Sequence, residues 1–153
     1  DIMVAYDVKI ESTTEDEIVF NADTTKEGEA IREVVFKMNT LDKAALNRSS
    51  AVRCELMIEG LINKLTKEMT MKLAKWSMTG SGESSLYRKV TVIVYTDNDR
   101  EEVLRQYTID KMFCVDYDEI FGDKEKETQN EAGKFIMRLA QREGAHSKDI
   151  YAK

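Results

Sequence analysis

The sequence contains no proline, one histidine and two cysteines among its 153 residues. Without proline, its turns must rely on glycine, asparagine and aspartate, the other residues that tolerate turn conformations. A structural zinc site normally needs four Cys or His ligands, and Cys54, Cys114 and His146 are too few to supply them. A Ser-His-Asp or Cys-His site would have to be built around His146, which lies in a polar stretch beyond the last predicted strand. This scarcity argues against both kinds of site.

The two cysteines lie far apart in segments where apolar and polar residues alternate. We interpret Cys54 and Cys114 as buried thiols that behave as small hydrophobic residues. A disulfide between them stays open, but two cysteines do not form the dense disulfide framework of a small secreted domain.

Long apolar runs are also missing. No run approaches the roughly 18 residues of a membrane span, so membrane insertion is not predicted. No signal peptide is recognised, because Asp1 begins the chain without a basic region or an apolar core. The first residue is not methionine, which leaves open that processing removed an earlier start.

The net charge of -6 argues against recognition of nucleic acid or of an anionic membrane, since both favour a basic surface.

The composition is that of a globular protein, with 42% hydrophobic and 34% charged residues. Its length fits one domain of ordinary size. We predict a single domain over residues 1–153, with a loose tail after about residue 143, where the sequence becomes polar.

Most ordered stretches alternate with a period of two and are rich in β-branched residues, which predicts strands. Two stretches depart from this pattern: residues 39–50, expected to form a long loop, and residues 122–133, expected to form a charged loop. The predicted strands cover residues 3–10, 18–20, 30–38, 52–59, 90–95, 103–109, 113–117 and 134–141.

One helix is predicted, at about residues 66–78. Leu65, Met69, Leu73 and Trp76 form one apolar stripe at helical spacing, which we interpret as a core contact rather than a ligand groove. Asn63 or Thr66 could cap its start. Strands on both sides of one helix predict a mainly β (α+β) fold, an antiparallel β-barrel or two-sheet sandwich with one flanking helix.

An acidic region begins at the end of the seventh predicted strand and continues to residue 131. Its carboxylates could in principle hold calcium or act as an acid and base pair. However, no twelve-residue calcium loop is present and lysines are interspersed, so a solvated loop is the preferred interpretation. A small-ligand-binding or hydrolytic β-barrel using this region is the alternative function. The acidic residues are Asp116, Asp118, Glu119, Asp123, Glu125, Glu127 and Glu131.

Several stretches of the second half are similar to a known family. They are LYRKVTV at residues 86–92, LRQYTI at 104–109, MFCVDY at 112–117 and FGD at 121–123. In this order after a helix, they resemble the tube proteins of contractile injection systems. That family includes the haemolysin-coregulated protein of type VI secretion and the tail-tube proteins of contractile phages. The resemblance covers about residues 65–141, and the first half agrees in strand order.

The resemblance implies a structural, non-enzymatic subunit without a cofactor, whose barrels assemble into hexameric rings stacked as a hollow tube. It implies cytoplasmic assembly, followed by incorporation into a virion or secreted particle, and sheath, baseplate or cargo proteins as further partners. Fewer glycines and more charge than in the secretion members leave the machine open between a phage, a bacteriocin and a secretion system. The loop at 39–50 occupies the place of the family's extended loop, which reaches a neighbouring subunit. Its candidate inter-subunit residues are Leu41, Asp42, Lys43, Ala44, Ala45, Leu46, Asn47 and Arg48.

Overall fold

The computed structural model describes residues 4–23, 29–40, 52–122, 132–142 and 150–153. Within these ranges the chain forms eight strands and one helix, which confirms the predicted mainly β fold. The elements are β1 (Ala5–Glu11), β2 (Ile18–Phe20), β3 (Ile31–Thr40), β4 (Val52–Ile62), α1 (Lys67–Ser77), β5 (Arg88–Tyr95), β6 (Val103–Phe121), β7 (Gly133–Gln141) and β8 (Ile150–Ala152).

All strand pairs are antiparallel, and the strand order is β2-β1-β5-β6-β7-β4-β3, with β8 also paired to β6. The two ends of this sheet fold toward each other and share one hydrophobic core. Aromatic side chains contact each other within this core: the ring centroids of Phe20 and Phe135 are 6.0 Å apart, and those of Phe36 and Tyr107 are 4.6 Å apart. The sheet therefore forms a folded-over sandwich in which each half covers the apolar face of the other.

The long strand β6 belongs to both halves. Its first part pairs with β5 up to Met112, and its second part pairs with β7 from Met112 onward. The backbone of Lys111 has a left-handed φ of 62° at the change of partner. The sequence predicted two strands, 103–109 and 113–117, and this was wrong. The polar Asp110 and Lys111 mark a bend within one 19-residue strand, not a break.

A buried glutamine fixes this bend. The side-chain NH2 of Gln141 donates to the carbonyl of Asp110 at 3.1 Å, and its amide oxygen accepts the backbone N–H of Cys54 at 2.8 Å. The backbone N–H of Arg142 also donates to the carbonyl of Lys111 at 2.8 Å. These bonds satisfy backbone groups that the change of strand partner would otherwise leave buried and unpaired.

Two register shifts correct the predicted strand faces. One lies between Ile31 and Glu33 in β3, and the other between Cys114 and Asp116 in β6. The alternation predicted that Val115 would share a face with Tyr117, yet Val115 is 53% exposed while Tyr117 packs against the core. An extra residue in one strand moves the following side chains to the opposite face, which alternation alone does not reveal.

Helix α1 packs mainly against β6 and β2 and contributes Leu73 and Trp76 to the shared core. The indole N–H of Trp76 donates to the carbonyl of Leu86 at 2.8 Å. At the start of the helix, the side-chain oxygen of Asn63 accepts the backbone N–H groups of Leu65 and Thr66. The predicted apolar stripe is therefore inward over its later part, but Leu65 at its start is exposed.

Arg100 joins the two ends of the folded sheet. It lies in the β5–β6 turn with a left-handed φ of 60°, and its guanidinium binds Glu29, just before β3, at 2.7 and 2.8 Å. The same group binds Asp7 of β1 at 2.9 Å and the carbonyl of Tyr6 at 3.2 Å. The hydroxyl of Tyr95 donates to the other oxygen of Asp7 at 2.7 Å. Because the three charged side chains are only 14–24% exposed, this is a partly buried, hydrogen-bonded network.

Two predicted boundaries differ from the structure. The predicted strand 52–59 was expected to end at residue 59, but β4 continues through Gly60 to Ile62. Residues 143–149 lie outside the described residues, and Ile150–Ala152, inside the tail that was expected to be loose, pairs with residues 107–109 of β6.

Replacing Gly60 with alanine should destabilise the fold, because a Cβ atom there would lie 2.5 Å from the buried ring of Phe135 and 3.0 Å from the carbonyl of Ala30. Such overpacking costs about 1–3 kcal/mol. Urea unfolding measures the change in unfolding free energy. Gly80→Ala is the matched control, since its nearest contact would be 3.7 Å away. The Gly60→Ala cost should shrink in a Phe135→Leu background, and an undiminished cost would show that the ring is not the cause.

Arg100→Met should lower the unfolding free energy by about 2 kcal/mol, because two partly buried carboxylates lose their shared cation. Lys9→Met is the control: its ion pairs at 3.7 and 3.9 Å involve side chains that are 36–56% exposed, and it should cost well under about 1 kcal/mol. Equal effects of the two substitutions in thermal or urea unfolding would show that Arg100 does not hold the sheet ends together.

Candidate assembly surfaces

The sheet ends in two edge strands, β2 and β3. In the part of the chain that the structure describes, the ten-residue β3 pairs on one side only, with β4. An edge strand exposes backbone N–H and C=O groups that can pair with another chain. The side chains of Arg32 and Lys37 and the register shift after Ile31 are features that limit uncontrolled pairing of such an edge.

A groove of about 380 Å³ lies between the start of α1 and the end of β6. Its apolar wall includes Met71, which is 56% exposed, and Phe121, which is 61% exposed. Lys64 and Lys67 stand beside it, together with Glu119, whose carboxylate accepts the hydroxyl of Tyr117 at 2.7 Å. We call this the helix groove. Two large exposed apolar side chains beside one another suit a contact with another molecule.

The β5–β6 turn and the start of β6 carry a second exposed surface, which we call the acidic hairpin. It contains Asp97, Asp99, Glu101 and Glu102, followed by Val103 and Leu104, which are 51% and 50% exposed. The carboxylate of Asp99 accepts the backbone N–H of Glu101 at 3.0 Å. The side-chain hydrogen bond between the two aspartates raises the pKa of Asp97 and lowers that of Asp99. Negative charge is thus concentrated at this turn.

A third surface lies on the outer face of β3, β4, β6 and β7. It is a depression of about 230 Å³ in which exposed Val35 and Val115 lie near Lys37, Glu55 and Arg138. Apolar and charged side chains are mixed here, as at the rims of protein interfaces.

The predicted inter-subunit residues 41–48 lie outside the described residues, so their role stays a prediction. Of the acidic region, Asp116, Asp118 and Glu119 are exposed on β6, whereas residues 123–131 lie outside the described residues, as does His146. Among the described residues, no three His, Cys, Asp or Glu side chains are placed to hold a metal ion.

Both cysteines are free thiols in this structure, Cys54 buried and Cys114 half-buried. Burial raises the pKa of each thiol to about 12, helped by the negative charge of Glu55 and Asp116 respectively. A thiol with so high a pKa is a poor nucleophile at neutral pH, consistent with the structural role expected for both residues.

The exposed apolar residues Met71, Leu104 and Phe121 were missed by the sequence analysis. Sequence periodicity tends to assign apolar residues to the core. Whether such a residue is buried depends on which elements pack against it, and periodicity does not show this. Phe121 offered one signal: it lies beyond the predicted strand 113–117 and directly before Gly122, where an inward position is not required.

The described elements define a class of protein: an antiparallel sheet folded on itself, with one helix packed into its core. No protein-family model and no curated protein matches the sequence. Solved Hcp structures do match. One Hcp protein aligns with a TM-score of 0.58 and 14% identity over 98% of this chain and 96% of its own. Secreted protein Hcp3 from Pseudomonas aeruginosa aligns with a TM-score of 0.52 and 15% identity over 98% and 97%.

Hcp1 from Flavobacterium johnsoniae aligns with a TM-score of 0.51 and 17% identity over 88% of this chain and 89% of its own. The chain therefore has the Hcp fold. This confirms, at the level of the fold, the resemblance found in residues 65–141, and it extends the likeness to the first half. In the described ranges, α1 is too short and too polar to cross a membrane.

Stability should fall at alkaline pH. Burial raises the pKa of five groups, so the folded chain holds these protons more tightly than the unfolded chain does. Their contribution is complete below the ordinary values of 9–10. For Cys54, Tyr95 and Cys114 it is lost as the pH rises through about 12, and for Tyr6 and Tyr117 it is lost as the pH rises through their raised pKa values. The groups are Tyr6, Cys54, Tyr95, Cys114 and Tyr117.

Urea unfolding under reducing conditions, repeated at several pH values above 8, measures this loss. Tyr95→Phe should make the loss shallower, because it removes the phenol whose pKa is raised to about 12 by burial and by its bond to Asp7. Tyr151→Phe removes an exposed phenol and is the control. An unchanged slope in the Tyr95→Phe protein would contradict the prediction.

Proposed function

We propose that this chain is a structural subunit of the inner tube of a contractile injection apparatus, and that its role is assembly rather than catalysis. The single observation that carries the proposal is the Hcp fold, which extends over nearly the whole length of both this chain and the Hcp proteins it matches. The sequence resemblance to tube proteins, which rests on short stretches within residues 65–141 and not on the fold, supports the same role.

The surfaces of the molecule support a subunit that binds copies of itself. A ring needs two different patches that fit each other, because each subunit contacts one neighbour with one patch and the next neighbour with another. The structure offers several such patches: the edge of β3, the helix groove, the acidic hairpin and the outer depression beside Val115.

A tube also needs a lumen that one chain does not enclose. The space between the two halves of the sheet is filled by side chains, among them the fully buried Phe135, Met137 and Leu139. Since the interior is a packed core, any channel must form between subunits. The proposal accordingly places the channel on the axis of a ring of copies, six by analogy with the resembled family.

Under this proposal the chain is one domain, assembles in the cytoplasm and becomes part of a virion or a secreted particle. Its partners are copies of itself and the sheath, baseplate or cargo proteins of the same apparatus. Residues 41–48 would reach a neighbouring subunit, since they follow directly from the end of β3.

The proposal is tested by the assembly state of the purified protein. We expect multi-angle light scattering and negative-stain electron microscopy to show rings of about six subunits, and tubes at high concentration. Replacing residues 41–50 with a short Gly-Ser linker should abolish stacking while the circular dichroism and melting temperature of the barrel stay unchanged. The replacement begins after Thr40 because β3 extends to that residue.

A linker of the same length inserted between Ser81 and Gly82, in the exposed turn after α1, is the matched control and should leave stacking intact. A wild-type protein that stays monomeric at high concentration would overturn the proposed function. Rings that still stack after the replacement would overturn only the role of residues 41–50.

A further inference from the structure

The helix groove and the acidic hairpin have complementary properties. The groove is concave and apolar, with Met71 and Phe121 more than half exposed on its wall. The hairpin is a tight turn followed by Val103 and Leu104 at the start of β6, which are about half exposed. An exposed apolar pair beside a turn suits an apolar groove, because burial of both surfaces removes apolar area from water.

The charges around the two surfaces are also of opposite sign. Lys64 and Lys67 line the groove and form no ion pair among the described residues. Among the described residues that line the groove, Glu119 has the only carboxylate, and it accepts a hydrogen bond from the hydroxyl of Tyr117. A hairpin that approached the groove would therefore meet two available ammonium groups.

On the hairpin, Glu101 and Glu102 are exposed and likewise form no ion pair within the described part of the chain. Arg100, the cation between the acidic residues, is turned inward toward Asp7 and Glu29 and does not neutralise the tip. Arg105 follows Leu104, and its guanidinium donates to the carbonyl of Leu104 at 2.9 Å. Opposite charges around an apolar contact select the partner and set its orientation.

The two surfaces lie at opposite ends of one strand. Leu104 is near the start of β6 and Phe121 is its last residue, and a strand of 19 residues follows a path of roughly 60 Å at about 3.3 Å per residue. One molecule therefore presents the hairpin at one end of β6 and the groove at the other. Two unlike, complementary patches on one chain are what a head-to-tail contact requires.

We propose that the acidic hairpin of one copy of this chain binds in the helix groove of the next copy, with Leu104 against Met71 and Phe121 and with Glu101 and Glu102 facing Lys64 and Lys67. The contact rests on the proposed function, since it names the surfaces through which tube subunits join. Its occupant is a second copy of the chain.

Charge reversal tests the contact directly. The groove variant Lys64→Glu/Lys67→Glu should assemble at a concentration roughly tenfold or more above that of the wild type, because like charges would then face each other. The hairpin variant Glu101→Lys/Glu102→Lys should show the same loss. The chain that carries all four substitutions should regain assembly, since its reversed hairpin meets a reversed groove. Sedimentation velocity over a concentration series measures all three.

The control variant is Lys72→Glu/Lys75→Glu, which makes the same change of charge on α1 but outside the groove and should assemble as the wild type does. Melting temperatures are measured in parallel. Loss in both double variants with recovery in the fourfold variant supports the contact.

Three results would overturn it while the wild type still assembles. The first is unchanged assembly of either double variant. The second is loss without recovery in the fourfold variant, which would assign the groove to a different partner surface. The third is a lower melting temperature with unchanged assembly, which would show that the groove is filled from within the chain. A wild type that never assembles would overturn the proposed function together with this contact.

Discussion

The change of partner along β6 at Lys111 is the constraint on which the remaining structure depends. A single strand pairs first with β5 and then with β7, so the hydrogen-bonded ladder continues while its direction changes. The bend turns the two halves of the sheet toward each other and lets their apolar faces form one core. Gln141 holds the bend through the backbone of Asp110 and Cys54, and it lies on the strand that takes over the pairing. A buried side chain that bonds two backbone groups leaves little freedom to either.

Closure of the far side of the sandwich has a different physical basis. Strand β1, next to one edge of the sheet, and the start of the edge strand β3 are joined by the charged network of Arg100, and no strand pairing connects β1 to β3 in the described residues. Burial of apolar surface holds the two halves together but does not favour one relative orientation. A guanidinium, by contrast, binds carboxylates through paired hydrogen bonds of fixed geometry. The network therefore determines how the ends meet. It also turns the only cation of residues 96–102 inward, which leaves the acidic side chains of that turn facing solvent.

Much of the fold was predictable because local periodicity reflects which face of an element is buried. The helix with Leu73 and Trp76 and the alternation of 52–59 followed from spacing, and the antiparallel fold was predicted from the order of strands around one helix. The failures have one cause: the outward position of Val115 and the continuity of β6 depend on which strand lies alongside, and that partner comes from distant sequence. The candidate surfaces were less predictable. Leu104 lies in a predicted strand and Phe121 lies beyond one, and only the complete packing shows that both side chains stay outside the core.

By itself, the amino-acid sequence determined the mainly β composition with one helix, the scarcity of metal-binding and nucleophilic residues, and a resemblance to tube proteins. These properties follow from local spacing and composition, which are carried by residues close together in the chain. The tertiary structure alone decided where the sheet bends, how its ends are joined and which apolar side chains remain exposed. Those outcomes depend on contacts between residues far apart in sequence, such as Arg100 with Glu29 and Gln141 with Cys54, which exist only when the whole sheet has folded.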